Sequence, residues 1–475
     1  MTAQPLTDGA VLRGGLWVGA GFLGQQGLAL VRTLILARLL TPDDFGLVGV
    51  VTLALFAGSM LTELGIESAV IQRQNLPERW LHTAWTLLVL RGGGLTGLQI
   101  VLAPAIASVF GRPDAEPLLR VGAFSHALVM LAAVPSALLL RELGFRRRVW
   151  LDVTRELAGT AAAVGLALWW GDAWALLAGL LIGQAMTVGQ SLWLHAYRPR
   201  VVLDREACGF YWDFGRHLYL SGLLGYVVTK GDDITVGRFR GVGELGQYQM
   251  AFGIAEMVTR GLGEIVSKAI FPAYTRMAAE GQNLAEGFVR VWGVLLLVLL
   301  PIVAVLVMFP SQVLLTILGA QWQPAALPFA VLVVAEALRA LAAAAGILIL
   351  AGGRTAYLSR IKIAEVVCFL LLIVPFTRQW GMIGAATCLV VVYVVSLLGH
   401  LYGAQRVVPV LAKVAACSWE PCMVAVSLTV PVWWQWGGMP MFFSALLWIA
   451  LWGGYVWWRH ADLLIMVRRA VRAPS

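Results

Sequence analysis

The chain has 475 residues, of which 60% are hydrophobic and 13% are charged, and its formal net charge is +9. Soluble chains carry about 25% charged residues, so this composition excludes an ordinary soluble protein. The apolar residues fall in repeated runs of roughly 20, each long enough to cross a bilayer as a helix. Because the runs are long and continuous, they favour spanning helices over the short alternating strands of a membrane barrel.

The polar residues narrow the possible chemistry. Most basic residues lie in short loops between apolar runs, which argues against a nucleic-acid-binding surface. The five cysteines lack the paired spacing of a zinc or redox motif, and the six histidines are scattered without ligand or triad spacing. We therefore predict no metal, no cofactor and no enzymatic activity. No small-residue cleavage site follows the first apolar run, which begins near Gly14, so we expect it to remain as the first span.

The apolar runs predict an all-α, polytopic integral membrane protein with about 14 transmembrane helices. An even number of spans places both termini on one side, and the side richer in loop arginine and lysine faces the cytoplasm. The basic loop residues gather on the side of the termini, and those placed opposite are Arg112, Arg238, Arg240 and Arg378. We therefore expect both termini to be cytoplasmic.

An internal repeat organises these spans into two pseudo-repeated six-helix lobes plus two C-terminal helices. A shift of 200 residues aligns RTLILARLLTPDDFGLVG with DDITVGRFRGVGELGQYQ, and the matched pairs are Arg38 with Arg238, Asp44 with Glu244, and Gly46 with Gly246. Parallel repeats of this kind put a substrate site at the interface of the lobes. The predicted divisions are a cytoplasmic N-terminus (1–13), an N-terminal lobe of spans 1 to 6 (14–197), a cytoplasmic linker (198–216), a C-terminal lobe of spans 7 to 12 (217–405), spans 13 and 14 (406–458) and a basic cytoplasmic tail (459–475).

The loop between the first two spans has the pattern of a helix N-terminus. Thr41 is a capping residue, Pro42 takes the first helical position, and an acid stands at the third. The second span is therefore predicted to start abruptly after Thr41. Capping explains Asp43 and Asp44, although contact with a substrate is an alternative.

Glycines spaced four residues apart recur in the predicted spans. In lipid, small residues at this spacing let two helices approach closely. We therefore predict helix packing at three pairs, which are Gly15 with Gly19, Gly93 with Gly97, and Gly179 with Gly183.

Five basic residues lie deep inside predicted spans: Arg32, Arg91, Lys230, Arg260 and Arg339. A charged side chain at the centre of a lipid-facing helix costs about 2.5 to 3.5 kcal/mol, so these side chains should face a hydrated cavity or an acidic partner. A guanidinium group binds phosphate oxygens in a bidentate way. We predict that these five residues bind the substrate, with Arg32 and Arg91 in contact with a diphosphate headgroup.

Pairing within one helix is the structural alternative for some of these charges. Four residues of the eighth span recur every four positions and place alternating charges on one helical face: Glu256, Arg260, Glu264 and Lys268. Glu336 and Arg339 have a spacing that allows the same kind of pair. Even a paired stripe is polar, so we expect the stripe of the eighth span to line a cavity.

Arg32 and Arg91 differ because their own helices offer no acid within reach. Each needs an anionic substrate or a partner on another helix, for which Asp232 and Asp233 are candidates. Acids inside spans are also candidates for coupling transport to a proton or sodium gradient. The predicted coupling residues are Asp232, Asp233, Glu256 and Glu264.

Several segments resemble the Wzx-like polysaccharide flippases of the multidrug/oligosaccharidyl-lipid/polysaccharide exporter superfamily. They are ARLLTPDDFGLVG, ELGIESAVIQRQ, GDDITVGRFRGVGELGQYQMAFGI and IFPAYTRM. The resemblance implies two lobes around a cationic cavity in the bacterial inner membrane. It also implies that alternating access moves an undecaprenyl-diphosphate-linked oligosaccharide repeat unit across that membrane for exopolysaccharide, capsule or O-antigen synthesis.

Other functions remain open at this point. A multidrug exporter of the same superfamily would carry cations and favour deep acids, whereas deep basic residues prevail here. A peptidoglycan-precursor flippase shares the lipid carrier, and a glycosyltransferase or polymerase would need placed acid and base groups. The expected partners are the lipid-linked oligosaccharide, membrane lipids, a polysaccharide polymerase and a chain-length regulator, and no nucleic acid.

Overall fold

The computed structural model describes residues 8–73, 75–141, 145–257, 283–435 and 441–459, together with Tyr274 and Met277. Within these ranges every regular element is a helix, which confirms the all-α prediction. The chain forms two compact units, Met1–Gln247 and Tyr248–Ser475.

The first unit contains the helices up to the start of α10. Their bounds are α1 Asp8–Leu39, α2 Pro42–Leu61, α3 Ile66–Gln72, α4 Glu78–Val109, α5 Ala115–Gly122, α6 Phe124–Arg141, α7 Phe145–Trp170, α8 Ala173–Leu194, α9 Arg205–Arg240 and α10, which is described over residues 242–257. Two apolar clusters hold this unit together. One joins α1, α7 and α8 through Leu36, Ala163 and Ala175, and the other joins α3, α4, α6 and α9.

The second unit contains the later helices. Their bounds are α11 Leu284–Met308, α12 Pro310–Ile317, a 3-10 turn at Ala320–Ala325, α13 Ala326–Ala351, α14 Thr355–Val407, α15 Leu411–Gln435 and α16 Met441–Arg459. One buried cluster of the described residues packs α11, α13, α14 and the start of α15 together. Trp448 and Trp452 stack with their ring centroids 5.4 Å apart, and the indole of Trp452 donates to the carbonyl of Leu297 at 3.1 Å, which fixes α16 against α11.

Seven helical segments of the described residues have the length and apolarity of a membrane span. They are Pro42–Leu61, Glu78–Val109, Ala115–Arg141, Ala173–Leu194, Leu284–Met308, Ala320–Ala351 and Thr355–Val407. The last segment turns back on itself at Gly381, where φ is 60°, and Gly399 then packs against Ile361 of the first half. The predicted total of 14 spans stays a prediction.

The second span begins as the capping pattern predicts. The Thr41 hydroxyl accepts from the Asp44 backbone N–H at 3.3 Å, and the Asp44 carboxylate accepts from the Thr41 backbone N–H at 2.9 Å. Both members of a capping box are therefore in place, with Pro42 at the first helical position. This confirms the prediction and gives Asp44 a structural role.

Asp43 has a different partner, which is Arg112 in the turn between α4 and α5. The two Nη atoms of Arg112 donate to the two carboxylate oxygens of Asp43 at 2.7 and 2.6 Å. The same guanidinium binds both oxygens of Asp114, and this interaction holds the pKa of Asp114 below its ordinary value. Arg112 therefore ties the start of α2 to the α4–α5 turn, which explains the position of Asp43 without a substrate.

The two glycines that the repeat matches lie against each other's helices. A Cβ atom on Gly46 would overlap the carbonyl of Val242 at the start of α10, and one on Gly246 would overlap the carbonyl of Pro42 at the start of α2. The helices therefore cross backbone to backbone, which only glycine allows at these two positions. We call this contact the glycine crossing.

The other glycine pairs have mixed outcomes. Gly179 and Gly183 pack against Gly159 of α7, so this prediction is confirmed. The prediction for Gly93 and Gly97 is wrong, because both face open space on α4. It is Gly92, one residue earlier, that packs against His126 and Met130. Gly15 and Gly19 lie where the structure does not describe side chains.

In the segment predicted as a linker, 198–216, the residues before α9 are hydrogen-bonded to α4. The backbone N–H groups of Val202 and Asp204 donate to Thr86 and Thr83 of α4 at 3.0 and 3.1 Å. Asp204 also pairs with Arg79 and caps α9, which begins at Arg205 inside the predicted linker. A threonine-lined edge of α4 therefore holds this connection in place. The other predicted domain limits stay predictions.

We predict that Gly46→Ala and Gly246→Ala each weaken the glycine crossing. The added methyl group must displace a backbone carbonyl, and overpacking of this kind costs about 1 to 3 kcal/mol. The midpoint of thermal aggregation of the purified protein should fall for both variants. Gly253→Ala on α10 is the matched control, because nothing lies within 4 Å of its added Cβ. An equal effect of all three substitutions would contradict the crossing.

Candidate functional site

The structure describes four of the five predicted substrate-binding cations. Arg32 lies on α1, Arg91 on α4, Lys230 on α9 and Arg339 on α13. Arg260 and the predicted coupling residue Glu264 lie outside the described residues. Each of the four described cations contacts an acidic side chain, so the geometry of these pairs defines what each cation can bind.

Arg32 pairs with an acid on another helix. Its Nη1 atom lies 2.8 Å from Oε1 of Glu156 on α7, so the predicted cross-helix partner exists but is neither Asp232 nor Asp233. The Arg32 side chain is 36% exposed, whereas that of Glu156 is 12% exposed. The carboxylate therefore lies on the protein side of the pair, and part of the guanidinium faces outward.

Lys230 and Asp233 pair within α9. The Lys230 Nζ atom lies 3.0 Å from Oδ2 of Asp233, one helical turn further on. The lysine side chain is 32% exposed and that of the aspartate only 5%. Asp232, next to it, is buried as well. As at Arg32, the acid is less exposed than the cation it holds, and the cation is partly exposed.

Arg339 contacts two acids in the second unit. Its guanidinium donates to Glu336 of the same helix through Nε at 3.0 Å and Nη2 at 2.5 Å, which confirms the predicted pair. Nη2 also reaches Glu256 of α10 at 3.4 Å. The Arg339 side chain is 39% exposed while the Glu336 side chain is fully buried.

Arg91 has the opposite arrangement. Its Nη2 atom donates to the Ser59 carbonyl at 2.6 Å and to the carboxylate of Glu63, two residues after the end of α2, at 3.1 Å. Its Nε atom donates to the hydroxyl of Thr62. Only 9% of its side chain is exposed, against 39% for Glu63. The guanidinium is thus used to hold the end of α2 against α4, and the acid is the outward member of the pair.

Three of the four acids predicted to couple transport to an ion gradient lie in the described residues. Asp233 and Glu256 each hold one of the exposed cations, and Asp232 is buried beside the first of them. Sequence reasoning missed Glu156 and Glu336 as anchors of the site. Glu336 was recognisable only as a pair with Arg339, and nothing in the sequence indicates that α7 brings Glu156 to Arg32. No group of three potential metal ligands occurs among the described side chains.

The seven long apolar helices of the described residues define the class of a polytopic, α-helical membrane protein. The fold matches that of the lipid II flippase MurJ in its inward closed conformation, with a TM-score of 0.77 and 12% identity over 94% of this chain and 100% of that one. The family model described as polysaccharide biosynthesis protein matches residues 35–327. The chain belongs to that family.

Two curated relatives are similar over much of their length. The lipopolysaccharide biosynthesis protein WzxC of Escherichia coli K12 is 23% identical over 393 residues, which are 82% of this chain and 79% of WzxC. The succinoglycan biosynthesis transport protein ExoT of Rhizobium meliloti is 25% identical over 307 residues, 64% of this chain and 62% of ExoT. The predicted membership of the Wzx-like flippases is confirmed, and the chain is an integral, multi-pass inner-membrane transporter and not an enzyme.

We predict that Arg32→Gln destabilises the protein more than Glu156→Gln does. The first change leaves an almost buried carboxylate without its cation, and breaking a buried pair costs about 3 kcal/mol. The second leaves a cation that is already one-third exposed. The double variant should recover most of the loss, because removing both charges of a buried pair is close to neutral.

The measurement is the thermal aggregation midpoint and the monodisperse fraction of each purified variant. Arg240→Gln is the control, because its pair with Glu244 is exposed and surface pairs contribute only about 0.2 to 1 kcal/mol. If Arg240→Gln and Arg32→Gln lower the thermal aggregation midpoint equally, the Arg32–Glu156 pair contributes no more to stability than an exposed surface pair.

Proposed function

We propose that the protein flips an undecaprenyl-diphosphate-linked oligosaccharide repeat unit across the inner membrane for exopolysaccharide, capsule or O-antigen synthesis. The family and the relatives support a role in polysaccharide export. The observation that carries the proposal is a pattern common to Arg32, Lys230 and Arg339: each is about one-third exposed, and each is held by an acid that is much less exposed. A diphosphate is the part of this substrate that such cations bind.

The proposed binding chemistry follows from the open side of each cation. Arg32 and Arg339 use some of their N–H groups on their acids and keep others for phosphate oxygens, to which guanidinium donates in a bidentate way. Lys230 adds a point charge. Because each pair is close to neutral without substrate, the unliganded protein avoids the cost of several bare charges inside the membrane. Arg91 stays in the proposed set, but its enclosed guanidinium must leave Glu63 before it can bind phosphate.

The proposed mechanism is alternating access, and the glycine crossing is its candidate closure. With both termini in the cytoplasm, the ends of α2 and α10 at the crossing lie on the periplasmic side. Closure there leaves the cytoplasmic side for entry of the lipid-linked unit. Separation of α2 from α10 then exposes the cations to the periplasm, where the headgroup is released.

Ion coupling is proposed through the acids that hold the cations. Protonation or sodium binding at Asp233 or Glu256 weakens its hold on Lys230 or Arg339, and this changes how strongly those cations bind phosphate. Asp232 and Glu264 belong to the same proposed set. The proposed protein partners are a polysaccharide polymerase, which receives the flipped unit, and a chain-length regulator.

The alternatives are separated by charge and by genetics. An exporter of cationic drugs needs outward acids, whereas at Arg32, Lys230 and Arg339 the acid is in each case less exposed than the cation. A peptidoglycan-precursor flippase shares the diphosphate carrier and the fold. Its loss should be lethal, while cells that lose the proposed flippase should grow and lack one surface glycan.

We predict that deletion of the gene strands lipid-linked repeat units on the cytoplasmic leaflet, and that the wild-type gene restores their transfer. The Arg32→Gln/Glu156→Gln double variant should fold but transfer at least about tenfold less, since a charged hydrogen bond contributes about 1.5 to 3 kcal/mol. Labelling of the units in intact and permeabilised cells measures the distribution. Normal transfer by the folded double variant would refute a substrate role for Arg32.

We predict that locking the glycine crossing blocks transfer. Gly243 lies beside the carboxylate of Asp43, so cysteines at these two positions are within reach of a short thiol-reactive cross-linker. In a background without native cysteines, the Asp43→Cys/Gly243→Cys variant should transfer units before cross-linking and lose transfer afterwards. The two single-cysteine variants, treated with the same reagent, are the controls. Unchanged transfer by a fully cross-linked protein would refute the proposed gate.

A further inference from the structure

A groove lies between α11 and α15, apart from the charge pairs described above. Its volume is about 420 Å³, and its wall is mostly apolar. The residues that line it are Glu286, Val289, Arg290, Gly293, Leu297, Lys413, Cys417 and Pro421. All belong to the second unit, and no step of the proposed transport uses them.

The two helices run side by side in the same direction. Trp292 of α11 donates to the hydroxyl of Ser418 on α15 at 2.9 Å, and a Cβ on Gly293 would lie 3.1 Å from Sγ of Cys417. Val414, near the start of α15, belongs to the same buried cluster as Ala285 and Phe288 near the start of α11, whereas Ala425, further along α15, packs with Leu297 and Leu300 further along α11. Both helices begin at the same end of the groove, so their positive dipole ends lie together there.

The groove changes from cationic to apolar along its length. Arg290 and Lys413 stand at the end where the helices begin, both are exposed, and neither forms an ion pair within the described part of the chain. The Glu286 carboxylate in the first turn of α11 accepts from the side-chain amide of Asn283 at 2.8 Å, and its charge offsets one of the two cations, so this end of the groove keeps a net positive charge. Leu297 and Pro421 lie two turns further along, roughly 10 Å at 1.5 Å per residue.

The charge at this end of the groove favours an anion. Two cations stand near two positive helix ends, and the one acid of the first turns is Glu286 of α11, because none stands in the first turn of α15. A phosphate at this end is stabilised, because helix N-termini and basic side chains both favour anions. The apolar continuation accommodates a hydrocarbon chain.

We propose that the groove binds an anionic phospholipid of the membrane leaflet at that end, with its phosphate on Arg290 and Lys413 and one acyl chain along Val289, Gly293 and Leu297. The volume is in the range of sites for one small ligand, which suits a headgroup and part of one chain. Anionic lipids are enriched in the cytoplasmic leaflet. The charge bias of the loops predicts that the end of the groove where α11 and α15 begin lies in that leaflet. The bound lipid fixes α15 to α11 and does not require the proposed transport activity.

The test uses the full-length protein in nanodiscs that contain phosphatidylethanolamine and phosphatidylglycerol carrying a photoreactive acyl chain. Cross-linked peptides are identified by mass spectrometry. The wild type should label on α11 and α15, and the Arg290→Gln/Lys413→Gln double variant should label at least fivefold less there. Leu297→Trp, which fills the apolar part and keeps both charges, should also lose labelling.

Arg354→Gln/Arg360→Gln is the matched control, because it removes the same charge from exposed positions at the start of α14 and should label within twofold of wild type. Lys413→Gln alone, at an exposed position, replaces the double variant if that protein does not purify. Equal labelling by photoreactive phosphatidylethanolamine, or unchanged labelling in the groove variants, would overturn the proposal. So would displacement of the label by lipid-linked oligosaccharide alone, which would assign the groove to the transported substrate.

Discussion

The feature on which the rest of this structure depends is a buried or nearly buried carboxylate that holds a partly exposed cation. In hydrocarbon a lone charge is expensive, so a cation inside a span needs an acid, water or a substrate beside it. Glu156, Asp233 and Glu336 meet this need from the protein side, and the open side of each cation remains available. The arrangement lets one protein contain several positive charges, fold in a membrane and still present N–H groups to an anion.

Under the proposed function, the relative exposure of the two partners in each pair separates substrate-binding charges from structural ones better than depth in the membrane does. Arg91 is as deep in its helix as the others, yet its guanidinium contacts three groups at the end of α2 and is almost fully enclosed. At Arg32 the guanidinium is the outward member and has one acid. An anionic substrate can therefore be shared at Arg32 without loss of the existing bond, whereas at Arg91 it has to compete with several.

Local chemistry was readable from the sequence, and long-range packing was not. The capping box at Thr41 and the Glu336–Arg339 pair follow from spacing along one chain segment. The Glu156 partner of Arg32 depends on α1 packing against α7, and spacing within one helix contains no information about that. Gly93 and Gly97 also show that spacing along one helix does not identify its packed face. They have the spacing of packed glycines, but the face of α4 that packs carries Gly92. The repeat matched Gly46 with Gly246, but only the fold reveals that the matched residues meet.

The glycine crossing and the charge pairs suit a transporter because they stabilise in different ways. Glycines bring two helix starts together through backbone contacts and bury little side-chain area, so the contact is specific in shape but weak in total free energy. Arg112 in the α4–α5 turn adds a bidentate bond to Asp43 at the start of α2. This bond does not involve α10, so separation of α2 from α10 leaves it intact. The paired charges lie within one helix or between helices of one unit. Under the proposed mechanism, a weak contact that opens while these pairs stay in place keeps the difference in free energy between two conformations small.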